Sequence, residues 1–307
     1  MGTSNSKMWL ALLTLGFVWG SSFILMKMAL FDTAGERLFS ALDVALGRIA
    51  IAGLAMAPLA WTHRAHLTRK NLPWLLLVGG LGNMLPAYFF TTAQTLIPSS
   101  VAGMLNALTP MFTLIVGVML FQSRVHALQV AGIVVGFVGA AVLAFQPGMG
   151  DALGQEALGG AGRVLAATAC YGVSVNVIRH KLHAVPAAGV AALALGLMGL
   201  PAAALGLSSD LPTLAFTHPD GLRGLWAMVV LAVVGTGLAL VAFNRIIQRT
   251  NALFASTVTY IIPLFATMWG WLDREPLTRW HLLGGAVVLV GVWLVNRGGR
   301  KASEKAL

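Results

Sequence analysis

The chain has 307 residues, 58% of them hydrophobic and 10% charged, with a formal net charge of +10 and a mean hydropathy of +0.82. Soluble domains carry roughly 25% charged residues, so a water-soluble fold is excluded and a polytopic membrane protein is indicated. In a soluble protein the +10 would point to nucleic acid, but in a membrane protein the placement of the basic residues decides its meaning.

Ten apolar runs are long enough to cross a bilayer. They lie at roughly 9–30, 42–61, 74–94, 98–121, 126–145, 160–180, 185–207, 224–245, 250–272 and 280–297, and are numbered here as spans 1 to 10. Span 1 follows Lys7, is too long for a signal-peptide core and lacks an obvious cleavage site, so it is expected to stay in the membrane. It carries Trp19 and Ser22 and ends near Lys27; span 2 begins with Asp43 and Arg48. Span 3 holds Asn83, Pro86 and Tyr88, and span 4 holds Asn106, Thr109, Pro110 and Thr113 on one helical face. Gly132, Gly136 and Gly139 in span 5, like Gly16 and Gly20 in span 1, suit close helix packing in lipid. Cys170 is the single cysteine, which excludes an intrachain disulfide and a cysteine-based metal site. Tyr171 follows it in span 6, Thr236 lies in span 8, and Ser256, Thr259, Tyr260, Pro263 and Thr267 share a face of span 9. Pro86, Pro110, Pro201 and Pro263 fall inside spans and are expected to kink or break them.

With the N-terminus in the cytoplasm, most Lys and Arg fall inside and every acid except Glu304 falls outside or at the outer edge. The positive charge is then topology charge facing the cytoplasmic leaflet, and no nucleic-acid partner is expected. Both termini are expected to be cytoplasmic.

The chain also repeats. Pro110, Phe112 and Gly117 return as Pro263, Phe265 and Gly270 after 153 residues, and Gly132 returns as Gly285. Trp19-Gly20-Ser21-Ser22 is answered by Tyr171-Gly172-Val173-Ser174 after 152, which sets Lys27 against Arg179. Two halves of five spans follow: 1–147 and 155–300, with a loop at 148–154 and a cytoplasmic tail at 301–307. Five is odd, so the second half is expected upside down relative to the first, as in secondary transporters.

Trp19-Gly20-Ser21-Ser22-Phe23 with Lys27, Arg48, Ala93 to Met104, Thr109-Pro110, Pro263, Glu275-Pro276-Leu277 and Gly284-Gly285 carry a family resemblance. Over nearly its whole length the chain resembles the EamA-type drug/metabolite transporter superfamily, and within it the YddG-type amino-acid exporters. The resemblance implies ten helices in two inverted five-helix repeats, a central cavity near the midplane, and export of small metabolites. Such repeats commonly carry an acid just after the fourth helix. Glu275 fills that place in the second half, but Gln122 stands there in the first.

No Asp, Glu or His lies in the middle of a span, which removes the usual proton-binding group of a coupled carrier and the buried acid of a cationic-drug pump. Coupling through a rim acid, Asp43 or Glu275, stays open. There is no buried nucleophile–base pair and no zinc-spaced histidine set, so no enzyme, metal or cofactor is expected. Trp19, Ser22, Asn83, Tyr88, Asn106, Thr109, Tyr171, Thr236 and Tyr260 are the expected cavity lining, with Pro110 and Pro263 as helix breaks. Lys27 and Arg48 are read as an outer gate paired with Asp32, Glu36 or Asp43, or as contacts for a substrate carboxylate during release.

The residues and the resemblance together predict a bacterial inner-membrane exporter of amino acids, aromatic ones included, or related small metabolites. It would work by alternating access, driven by the substrate gradient, as a monomer or homodimer in the bilayer. A drug or nucleotide-type efflux carrier, a channel, and a non-transporting scaffold remain as alternatives.

Overall fold

The computed structural model describes residues 2–123, 125–145, 151–249 and 258–304. Among these the chain is helical, with one isolated β-bridge between Phe31 and Arg37 and no strand. Among the described residues, nine helical stretches are long and apolar enough to cross a membrane, and Val258–Leu272 is a shorter apolar helix in the place of span 9. Ser256, with the rest of 250–257, lies outside the described residues. The chain is therefore an all-α polytopic membrane protein. Its outer surface carries large exposed apolar side chains, among them Leu54, Met119, Leu200, Leu207 and Leu264, as a lipid-facing belt requires.

Span 1 is the helix Gly2–Leu30 and span 2 is Ala41–Thr62, capped by the Ser40 hydroxyl accepting from the Asp43 N–H. Spans 3 and 8 are not uniform. Leu72–Gly79 passes through a π-helical stretch, Gly80–Met84, into Leu85–Ala93. Gly221–Ala232 passes through another, Val233–Leu238, into Ala239–Arg249. The π stretches begin 153 residues apart, the offset of the sequence repeat. In the first, the Asn83 amide donates to Val78 O at 3.2 Å; in the second, the Thr236 hydroxyl donates to Leu231 O at 3.1 Å. These are the same bond, one in each half. Each occupies a carbonyl where the regular ladder is interrupted.

Span 4 is broken as expected. Ser99–Asn106 stops, and Thr109–Phe121 begins with Pro110 in its first turn, where a missing N–H costs little. Ala107 and Leu108 are turned by tight bonds to Met104 O and Leu105 O. Pro263 and Pro201 do not break their helices, since Val258–Leu272 and Ala187–Leu207 each run through the proline without interruption. Proline removes one hydrogen bond, and packing on both sides holds the remainder of the helix together. Span 6 starts at Asp151, inside the segment expected as a loop, and span 10 runs from Arg279 to Glu304, into the expected tail.

Packing follows a pattern of exchange between the halves. Span 1 packs on span 9 and the first helix of span 8; span 6 packs on the second half of span 4 and the second helix of span 3. Spans 2 and 7 pair with each other, as do spans 5 and 10. The matches reach single residues: Gly20 lies against Phe265, and Gly172 against Phe112. Both self-pairs depend on glycine. A Cβ at Gly291 would stand 2.5 Å from the Gly136 nitrogen, and one at Gly199 would stand 2.9 Å from the Gly53 Cα. Without side chains at these crossings the backbones touch, and dispersion replaces the hydrophobic effect that lipid removes.

Candidate functional site

Spans 1, 2, 3, 6 and 8 bring a polar and aromatic cluster together in the interior. Arg48 is its charged member. Its Nε donates to the Thr236 hydroxyl at 2.9 Å, and its Nη1 approaches the Met26 sulfur at 3.9 Å. Tyr171 lies within electrostatic reach of it. Arg48 thus points into the bundle and does not snorkel outward. Asp43, an expected partner, is instead tied to Ser40, whose hydroxyl donates to its carboxylate at 2.6 Å. A charged side chain within a membrane helix costs about 2.5–3.5 kcal/mol on insertion scales, and Arg48 has no acidic partner among the described residues.

The wall around Arg48 is aromatic. Tyr171 faces Phe90 at 6.2 Å between centroids, and Phe90 meets Phe23 edge-on at 5.7 Å. Trp19 packs on Phe243 at 5.1 Å and donates its indole N–H to Gly235 O at 3.1 Å. That carbonyl lies in the π stretch of span 8, so the irregular backbone supplies the acceptor. Ser22 is buried next to Gly235 and donates back to Val18 O.

Other expected residues lie elsewhere. Tyr88 is 39% exposed and shares a face of its helix with exposed Leu85, while Ala87, Phe90 and Thr91 form the buried face. The aromatic residue that span 3 packs into the core is Phe90, and the helical phase of span 3 was the signal that identifies it. Asn106 and Thr109 sit at the break in span 4, where the Thr109 hydroxyl donates to Asn106 O at 2.7 Å. The Tyr260 hydroxyl accepts from the Asn296 amide at 2.8 Å, which ties span 9 to span 10. Sequence reasoning also passed over Asn176, a buried amide on span 6 that donates to Thr113 O and Gly172 O and so holds the second half of span 4. It passed over Trp269 too, whose indole donates to the Ser21 hydroxyl at 2.7 Å.

A second polar cluster lies where span 1, the start of span 4 and the loop after span 9 meet. Lys27 pairs with Asp273 and, at 3.1 Å, with Glu275. Its partners are thus the loop after span 9, and not Asp32, Glu36 or Asp43. Asp32 is occupied by the N–H groups of Ala34 and Glu36 in its own turn. Glu275 is buried and accepts from the N–H groups of Ser99 and Ser100 and from the Ser100 hydroxyl. It therefore caps the first half of span 4 from the other half of the chain. Burial pushes the Glu275 carboxyl up, but the hydrogen bonds from Ser100 and Ser99 and the charge of Lys27 outweigh it and hold it below the usual carboxylate range. At the matching positions of the repeat, Gln122 in the first half and Arg179 in the second, no ion pair forms among the described residues. The backbone turn is nonetheless shared: Gln122 N–H bonds Gly117 O, and Glu275 N–H bonds Gly270 O. No group of three or more His, Cys, Asp or Glu that could hold a metal occurs among the described residues.

Comparison with known proteins places this geometry in context. The model of the EamA-like transporter family matches twice, at residues 6–145 and 159–297. An "Uncharacterized transporter" of Archaeoglobus fulgidus is 24% identical, with 95% of this chain and 99% of that protein aligned. A "Probable terminal-alkyne amino-acid exporter" of Streptantibioticus cattleyicolor is 25% identical over 95% of this chain and 94% of its own length. The "Uncharacterized inner membrane transporter YedA" of Escherichia coli (strain K12) is 26% identical over 94% and 90%. A crystal structure of a protein superposes with a TM-score of 0.61 at 19% identity, covering 97% of this chain and 99% of that one, which shows a shared fold.

Proposed function

The chain belongs to the EamA-like transporter family, and from that premise we propose that it exports amino acids, aromatic ones included, or related small metabolites across a bacterial inner membrane. The family makes it a membrane transporter and not an enzyme. The observation that carries the finer reading is the interior cluster of Arg48, Thr236, Trp19, Tyr171 and Phe90, to which both halves contribute beside matching π stretches. Irregular backbone at membrane depth is tolerated where it is buried in protein or lines a cavity. A similar exporter of an amino acid supports the substrate class, and an inner-membrane relative supports the location.

The two halves act as inverted five-helix repeats with cytoplasmic termini, following the positive-inside placement of Lys and Arg. The Lys27–Asp273–Glu275 clamp is then the periplasmic gate, which its ion pairs hold closed. Substrate enters from the cytoplasm, reaches the aromatic cluster, and leaves when the clamp parts and spans 1 and 9 separate. The substrate gradient drives the cycle, since the buried acids sit at the clamp and at the cap of span 2 and not in the cluster.

Purified protein in liposomes loaded with labelled amino acids tests this. Saturable, competable efflux that persists with a protonophore is the expected result. Efflux that stops with the protonophore while the substrate gradient is held would overturn the uniport mechanism. Saturable efflux of nucleotides or cationic drugs, without amino-acid efflux, would replace the substrate class.

A further inference from the structure

Arg48 is the cation of the interior cluster, and its bonding is incomplete in a specific way. Thr236, a neutral acceptor, holds its Nε. Nη1 has a long contact to a thioether sulfur, and Nη2 makes no hydrogen bond among the described residues. The guanidinium is thus oriented on one edge and open on the other. Its outer pair of N–H groups is the fork that matches a carboxylate. Lys27, by contrast, already has two carboxylates. The two roles separate on adjacent residues of span 1: Met26 faces Arg48 and Lys27 faces the clamp. The arrangement is also one-sided. The position 153 residues after Arg48 is Pro201, so the second half supplies no matching cation.

We propose that Arg48 is the anchor for a carboxylate of the transported molecule, with Thr236 as its positioning residue, so that the cargo is a carboxylate-bearing metabolite. This rests on the exporter reading above and deepens it. The bound carboxylate supplies the negative charge that this half-buried arginine lacks. The remainder of the cargo lies against Tyr171, Phe90 and Trp19, which set its apolar preference. Arg48, the charged member of the cluster and adjacent to Met26 beside the clamp, gives the cargo one orientation, with its carboxylate toward the Lys27 end. An amine or amide of the same shape leaves the guanidinium unpaired and is rejected.

The test compares alanine, leucine and phenylalanine with their carboxamides, and 3-phenylpropanoate with phenethylamine, in liposomes holding the full chain. Efflux and competition by the carboxylates alone are expected. Arg48→Lys should weaken competition by about tenfold or more, the value of a charge-assisted hydrogen bond. Arg48→Gln should abolish it, and Thr236→Val, which also frees the Leu231 carbonyl and should lower the melting temperature, should weaken it in protein that still melts cooperatively. The acid–amide comparison uses the unaltered protein, so a variant that fails to fold does not decide the outcome. Carboxamides or amines moved as well as the acids would overturn the anchor and leave the exporter standing. Unchanged competition in a folded Arg48→Gln would do the same. If neither acids nor amides show saturable efflux, the exporter reading fails and the anchor falls with it.

Discussion

At the scale of single residues, the interior is sparse in charge, and each charge has a distinct setting. Glu275 is buried at the clamp with three hydrogen bonds and a lysine, and its carboxyl is held below its ordinary value of 4.5. A carboxylate with a depressed folded pKa contributes stability that is present above its unfolded value and lost as pH falls through its folded value. The melting temperature of the detergent-purified protein should therefore drop on acidification below pH 4.5, and Glu275→Gln should flatten that part of the profile. A profile for Glu275→Gln as steep as wild type would remove Glu275 as the cause. Glu275→Ala should cost about 2–4 kcal/mol, since it strips charge-assisted bonds from buried N–H groups and leaves Lys27 with one acid. Asp43 and Glu275 were both legible as rim acids. Their partners were not, because Lys27 meets Glu275 across 248 residues of sequence.

At the scale of elements, proline was an incomplete guide to irregularity. Pro110 coincides with a true break, while Pro263 and Pro201 lie inside unbroken helices. The matched irregularities are the π stretches of spans 3 and 8, one followed by Pro86 and the other marked by Gly235, Thr236 and Gly237. Nothing in hydropathy announces a π turn, because inserting one residue changes the hydrogen-bond ladder and leaves the apolar content untouched. The glycines were read correctly as packing residues, since a small side chain permits close approach whatever its partner. Gly291→Val would drive a branched side chain into the Gly136 backbone. It should destabilise by about 1–3 kcal/mol through overpacking, seen as a lower melting temperature. The conservative Gly291→Ala should cost less, and a Gly291→Val protein with wild-type melting would contradict the packing of spans 5 and 10.

At the scale of the whole molecule, exchange packing makes each half depend on the other. Span 1 leans on span 9 and span 6 on span 4, so neither half buries its own interior alone. One end of this arrangement is clamped by ions, and the corresponding Gln122 and Arg179 form no ion pair among the described residues. If the clamp end is a gate, fixing it shut stops transport. A cysteine pair at Lys27 and Asp273, with Cys170 replaced by serine and bridged by a short bifunctional thiol reagent, should abolish efflux in liposomes. The single-cysteine controls treated alike should keep it. Full efflux from the bridged protein would show that spans 1 and 9 do not separate there.

Sequence by itself determined the solvent of this protein, the number and rough limits of its apolar runs, the duplication, and most of the residue types its interior would use. These follow from hydropathy, charge and spacing, which are properties of the chain read in one dimension. Tertiary structure decided which polar groups meet. It turned Arg48 inward onto Thr236 and gave Lys27 to Glu275. It also exposed Tyr88 and buried Phe90. Those outcomes depend on helix phase and on contacts between residues far apart in the chain, and a bilayer, which supplies no water to satisfy a misplaced polar group, makes each of them costly to change.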